Sequence, residues 1–152
     1  SVEVCGVGYS SDAFHMTQPN PEGAKKAMQN ALTCKDLTPC DIDYINAHGT
    51  GTIANDSSEI EAIKSLFGIK TPLSSTKSIT GHTLGAAGAL EAIISVMAIQ
   101  KKTLLPNANL QDAQDDDMNY IQEALVKDIR YALSNSFAFG GNNVSLIFGA
   151  CK

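Results

Sequence analysis

The run "NAHGTGT", Asn46 to Thr52, decides how the rest of the chain is read. The apolar stretch "IDYINA", residues 42–47, leads into it and has the composition of a short strand. The stretch "NDSSEIEAIKSLFG", residues 55–68, follows it with helical spacing. Asp56 or Ser57 would cap that helix, Ile60, Ile63 and Phe67 would form its buried stripe, and Gly68 would end it. A strand, a glycine turn and a helix make the repeating unit of an α/β fold. His48 stands where that strand ends, which is where open α/β sheets collect ligands.

Upstream, "VEVCGVGY" reads as a strand and "SSDAFHMTQPNP" as a polar loop. Pro21 opens a helix through "EGAKKAMQNALT", with Ala24, Ala27, Met28, Ala31 and Leu32 on one face. "LTPCDID" reads as one turn, with Thr38 as its cap, Pro39 first and Asp41 third. Downstream, "TPLSST" reads as a short strand. Leu84 to Lys101 reads as a helix so apolar that it should be buried on most sides. "TLLPNANL" is expected to be extended, and the acidic run Asp112 to Asp117 to be a solvated loop. Two further strands, "IRYALSNS" and "NVSLIFGA", are joined by "FAFGGN". The order βαβαβαββ predicts an α/β fold, a sheet covered by helices, with no linker, repeat or second domain.

The 152 residues suffice for one buried core. A net charge of -5 argues against nucleic acid, whose partners present basic surfaces. No apolar run is expected to reach membrane-spanning length. The four cysteines show no CxxC pairing and no histidine at metal-ligand spacing, so no metal site is expected and the thiols look reduced and cytosolic. The N-terminus lacks a signal-peptide pattern and starts within a strand, as a piece of a longer protein would.

The candidate chemistry lies in three places. His48 precedes Gly49-Thr50-Gly51-Thr52, glycines that permit either a close backbone approach or a plain turn. In "STKSITGHTLGAAGALE", Ser75 to Glu91, His82 precedes the apolar helix. The positive end of that helix would favour a neutral imidazole able to donate to an oxyanion. Taken alone, each histidine is open to a structural reading as well. Glu91 needs a cation, and Lys77 is the nearest in sequence, although a solvated lysine is the alternative. In "SFAFGGNN", Phe139 hinged on Gly140 and Gly141 reads either as a mobile lid or as a tight bulge. His15 reads as a loop residue, and Cys40, in a first helical turn but beside Asp41, as a weak candidate nucleophile.

Together, "INAHGTGT", "SSTKSITGHTLGAAGALE" and "SNSFAFGGNN" resemble the C-terminal half of the β-ketoacyl-(acyl-carrier-protein) synthases, nearest to the type II synthases of fatty acid elongation. The resemblance covers essentially the whole chain. It implies a thiolase-like fold, with this chain as the C-terminal half: a mixed sheet with helices on both faces, paired into a homodimer in the full enzyme. It implies decarboxylative Claisen condensation of an acyl thioester with malonyl-acyl-carrier protein at a Cys-His-His site. His48 and His82 match the histidines that donate to the malonyl thioester oxygen, and His48 the one expected to handle a proton or water. Lys77 matches the family lysine and Glu91 its partner. Thr50 and Thr52 match threonines holding the phosphopantetheine arm, and Phe139, Gly140 and Gly141 match the acyl-pocket gate. The partner implied is acyl-carrier protein, with no cofactor beyond its phosphopantetheine, no nucleic acid and no membrane. The location implied is the cytoplasm, or a plastid or mitochondrion in a eukaryote.

Three departures stand out. Ala138 and Asn142 replace a glycine and a threonine usual in the gate, and the added methyl should restrict its swing. Gly51 replaces a frequent serine. The nucleophilic cysteine, which the family carries in its N-terminal half, has no counterpart here. A non-catalytic partner subunit and a polyketide ketosynthase fragment are the competing readings. The active-site reading requires His48 and His82 to converge to within about 5 Å and Lys77 to contact Glu91.

Overall fold

The computed structural model describes residues 1–151. Its strands are β1 (Val2–Ser11), β2 (Tyr44–Asn46), β3 (Leu73–Ser74), β4 (Thr103–Leu104), β5 (Leu125–Val126), β6 (Tyr131–Ala138) and β7 (Asn142–Ala150). Its helices are α1 (Pro21–Thr33), α2 (Ile53–Phe67), α3 (Lys77–Thr80) and α4 (Ala87–Lys101). Five strands form one mixed sheet in the order β1-β7-β6-β2-β3. β1 and β6 pair antiparallel with β7, while β2 runs parallel to β6 and β3. Ignoring the β4–β5 ribbon and the single turn of α3, the chain reads βαβαβαββ, as expected.

Alternation along the strands sends side chains to two cores. Ile45, Leu133 and Ile147 join Met28, Ala31 and Leu32 of α1 and Ala62 and Ile63 of α2. Their strand neighbours Tyr44, Ala132 and Phe148 join Ala98 and Ile99 of α4 on the other face. All five residues assigned to the inner face of α1 are buried. The helix lies close enough to β1 that a Cβ at Gly8 would sit 2.0 Å from the carbonyl oxygen of Ala27. Glycine on the strand and alanine on the helix are therefore two halves of one close contact. Thr38 and Asp41 flank Pro39 as expected, with the Asp41 carboxylate accepting from the Thr38 amide at 2.8 Å and its hydroxyl at 2.7 Å.

Four expectations are corrected. α2 begins at Ile53, with extended Thr52 as its N-cap, so Asp56 is a first-turn residue. The Asp56 carboxylate nonetheless reaches back to accept from Gly51 N at 3.3 Å. "TLLPNANL" is strand only at Thr103–Leu104, whose partner is Leu125–Val126 in "EALVKD". Leu84 to Lys101 is not buried on most sides. It starts as a 3-10 turn, Leu84–Ala86, and α4 buries Ala87, Glu91, Ser95, Ala98 and Ile99 while Leu84, Ile93 and Met97 are exposed. These 18 residues are also long and apolar enough to cross a membrane by length and composition, contrary to the expectation that no run is. The acidic run is a mostly exposed loop, as expected, and Lys64 of α2 bonds its Asp115 at 2.6 Å.

Candidate active site

β2 delivers His48 into the molecule, where it is 6% exposed. Two bonds of 2.9 Å hold its backbone: His48 N donates to Glu59 Oε1 and Gly49 N to Glu59 Oε2. Gly49 has φ +41°, and a Cβ there would meet the Ser75 side chain at 2.4 Å, so no larger residue fits. Glu59 also accepts from Asn135 Nδ2 at 3.0 Å. Burial pushes the Glu59 carboxyl above its ordinary range, against the pull of its N–H donors. Glu59 was not picked out in the sequence. The available signal was its place four residues before Ile63, on the buried side of α2.

Lys77 is buried in α3, beneath His48. Its ammonium has three protons and three acceptors: Glu91 Oε1, His48 O at 2.5 Å and His48 Nδ1 at 3.3 Å. An ammonium cannot accept, so His48 Nδ1 is the acceptor and the ring proton stands on Nε2. Burial, the Lys77 charge and His82 lower the His48 pKa to about 3. His48 is neutral at any physiological pH. The Lys77–Glu91 contact required by the active-site reading is present and nearly solvent-free. Burial raises the Glu91 carboxyl while Lys77 opposes the shift.

His82 is exposed, with its ring centroid 5.4 Å from that of His48 and the ring planes at 87°. The two histidines thus converge at the distance expected. Leu84 N donates to His82 Nδ1 at 3.2 Å, which places the neutral ring's proton on Nε2. The backbone amide of a tight turn, rather than the end of a long helix, orients this ring. Both imidazoles therefore have Nδ1 occupied as an acceptor and Nε2–H left to donate.

The remaining residues are arranged around this pair. Thr50 and Thr52 share a hydrogen bond of 2.9 Å between their hydroxyls at the exposed end of the turn. A cavity of about 300 Å³ is lined by Thr50, Glu59, Lys77 and His82 together with Asp112 and Tyr120. Phe139 is 77% exposed on a turn where Gly140 and Gly141 have φ of +77° and +76°. Gly140 N donates to Met16 O at 2.9 Å, tying that turn to the loop after β1. Ala138 is extended at φ −132°, a conformation open to any residue, so its methyl strains nothing in this pose. Phe137, also not singled out in the sequence, has its ring 5.9 Å from that of His48. His15 is a loop residue whose Nδ1 accepts from Thr17 N and Gln18 N, each at 3.1 Å. Cys5 is buried beneath α1, and Cys34, Cys40 and Cys151 are exposed. None of them lines the cavity beside the histidines.

The model of the β-ketoacyl synthase C-terminal domain matches residues 2–111, which include Thr50, Thr52 and the whole Lys77, His82 and Glu91 constellation around His48. The chain belongs to the β-ketoacyl synthase family. It is 48% identical to a 3-oxoacyl-[acyl-carrier-protein] synthase 2 of Coxiella burnetii, over 95% of this chain and 37% of that protein. A β-ketoacyl synthase from Burkholderia phymatum STM815 superimposes with a TM-score of 0.96 at 43% identity, over 99% of this chain and 38% of that one. A chain of the AntDE:AntF assembly, a type II PKS acyl-carrier protein in complex with its ketosynthase, superimposes with a TM-score of 0.93 at 31% identity, over 99% of this chain and 39% of that one. The fold is thiolase-like, as the motifs implied. This β-ketoacyl synthase chain spans under two-fifths of the length of the proteins it matches.

Proposed function

We propose that this chain supplies the enolate-stabilising half of a 3-oxoacyl-(acyl-carrier-protein) synthase acting in fatty acid elongation. One observation carries the proposal: both histidines have Nδ1 engaged, by Lys77 and by Leu84, so each keeps an Nε2–H to donate, and their ring centroids stand 5.4 Å apart. A pair of neutral donors is what a malonyl thioester needs while it loses carbon dioxide. The carbon–carbon bond to the carboxylate breaks, its electrons move into the thioester, and the oxygen that gains charge receives the two N–H bonds. The enolate carbon then attacks the carbonyl of an enzyme-bound acyl thioester, and the thiolate leaves. His48 has a single ring proton, on Nε2, so any proton handling by His48 passes through that atom.

The nucleophilic thiol comes from outside these residues, since no cysteine here borders the histidines. Acyl-carrier protein is the substrate carrier, with Thr50 on the cavity wall and Thr52 bonded to it receiving its phosphopantetheine arm, and Phe139 gating the acyl side. No other cofactor takes part, and the assembled enzyme is a homodimer. The reading is tested by malonyl-thioester decarboxylation in the protein assembled with a cysteine-bearing half. His48→Ala and His82→Ala should each lower kcat by about 100- to 1000-fold, the effect of losing one oxyanion donor. Rates within a few-fold of the unaltered protein would remove both residues from the chemistry.

A further inference from the structure

The bonds around Glu59 do not stop at the site. Asn135, fully buried on β6, donates Nδ2 to Glu59 Oε1 at 3.0 Å. Its register partner across the sheet is Ser145 of β7, also fully buried, whose Oγ donates to Asn135 Oδ1 at 2.7 Å. Asn135 Nδ2 has one other neighbour within bonding range, Met28 Sδ at 3.5 Å. A chain of directed bonds thus runs from the last strand through β6 and α2 to the amides of His48 and Gly49.

The direction of each bond is fixed by chemistry. A carboxylate only accepts, so Asn135 must offer its NH₂ to Glu59. An amide can turn over and present its oxygen instead, which would set acceptor against acceptor in a buried place. The Ser145 hydroxyl opposes that turn, because it needs Oδ1 where it stands. Without it, Asn135 Oδ1 is buried and unbonded in the pose that Glu59 requires.

We propose that Ser145 and Asn135 are positioning residues for the two-histidine site: they fix the seat of the Glu59 carboxylate and through it the backbone of His48. This rests on the reading of His48 as the enolate donor. Neither side chain hydrogen-bonds the imidazole itself; both act through Glu59.

The test is Ser145→Ala, which removes one oxygen and adds no bulk, examined by amide hydrogen exchange and by malonyl-thioester decarboxylation. The amides of His48 and Gly49 should exchange about 5- to 10-fold faster, the effect of weakening one buried hydrogen bond, with β6 and β7 amides unchanged. Decarboxylation should lose kcat with KM unaltered. Ser145→Cys, of similar volume with a weaker donor, should fall between, and it carries the test if the alanine variant folds poorly. Unchanged exchange at His48 and Gly49, or a uniform rise across all amides, would overturn the proposal. Faster exchange at those two amides in a protein without decarboxylase activity would uphold the relay and overturn the enolate reading instead.

Discussion

Lys77 leaves none of its protons free: Glu91, His48 O and His48 Nδ1 take one each. Lys77→Met would strand the Glu91 carboxylate, which is 2% exposed and already has one unbonded oxygen. The expected loss is about 3–5 kcal/mol, as for a broken buried pair, read as a shift in urea unfolding. Lys77→Met combined with Glu91→Leu should recover much of it, because no lone charge then remains. His48 gives a second expectation, in pH. Its pKa falls from the ordinary 6.5 to about 3 on folding, so between those values the unfolded chain holds a proton that the folded one lacks. Its contribution to stability is complete above pH 6.5 and declines as pH drops toward 3. Glu59 and Glu91, whose carboxyls are raised, run the opposite way. The comparison is therefore the unaltered chain against His48→Gln. Lowering the pH from 7.5 to 4.5 should cost the unaltered chain a few kcal/mol more than the variant, on the order set by a pKa displaced this far. Equal acid sensitivity of the two proteins would show that His48 titrates normally.

At the scale of elements, the β1–α1 contact is the least tolerant. Gly8→Ala sets a methyl against the Ala27 carbonyl and within 2.3 Å of Ala31 N, and backbone cannot step aside cheaply. It should cost about 1–3 kcal/mol or more, as overpacking does. Gly85→Ala, where a Cβ meets nothing, should stay within about 0.5 kcal/mol in the same unfolding assay. These elements were legible to different degrees, for physical reasons. α1 could be read because its small and apolar residues repeat at helical spacing and all of them are buried. His48, His82, Lys77 and Glu91 could be read because polar residues among glycines and alanines stand out. Glu59 and Asn135 were hidden, since a glutamate on a helix and an asparagine in a strand declare nothing about burial. The β4–β5 ribbon was missed because its strands are two residues each, too short for any period. The exposure of α4 was misjudged because an apolar sequence records what a surface prefers to touch, and among the described residues nothing buries Leu90, Ile93 and Met97.

Across the whole molecule, the sheet exposes apolar residues as well. Leu90, Ile93 and Met97 of α4 are exposed, as are Val7 and the cross-strand pair Tyr9 and Val144. The chain should self-associate when alone, because a monomer seldom shows so much apolar surface. Ile93→Glu with Met97→Lys should make it monomeric in sedimentation velocity without lowering its unfolding midpoint. A monomeric unaltered chain at all concentrations would contradict this. The cysteines give the other expectation at this scale. Incubated with acyl-carrier protein or acyl-coenzyme A donors, the chain should show no stoichiometric thioester by mass spectrometry, and an adduct lost on replacing Cys40 would be the contrary result. The sheet order has a consequence for synthesis as well. β1 is an edge strand, and its one neighbour in the sheet is β7. A ribosome adding about 5–20 residues per second delivers β1 on the order of ten seconds before β7. Through that interval β1 has no sheet partner, Val4, Val7 and Tyr9 included, and α1 is the element of this chain that packs against it soonest. Strand-by-strand folding in the order of synthesis is thus closed to this sheet: β1 must wait for β7, and a chaperone that shields it during the wait covers its unpaired edge.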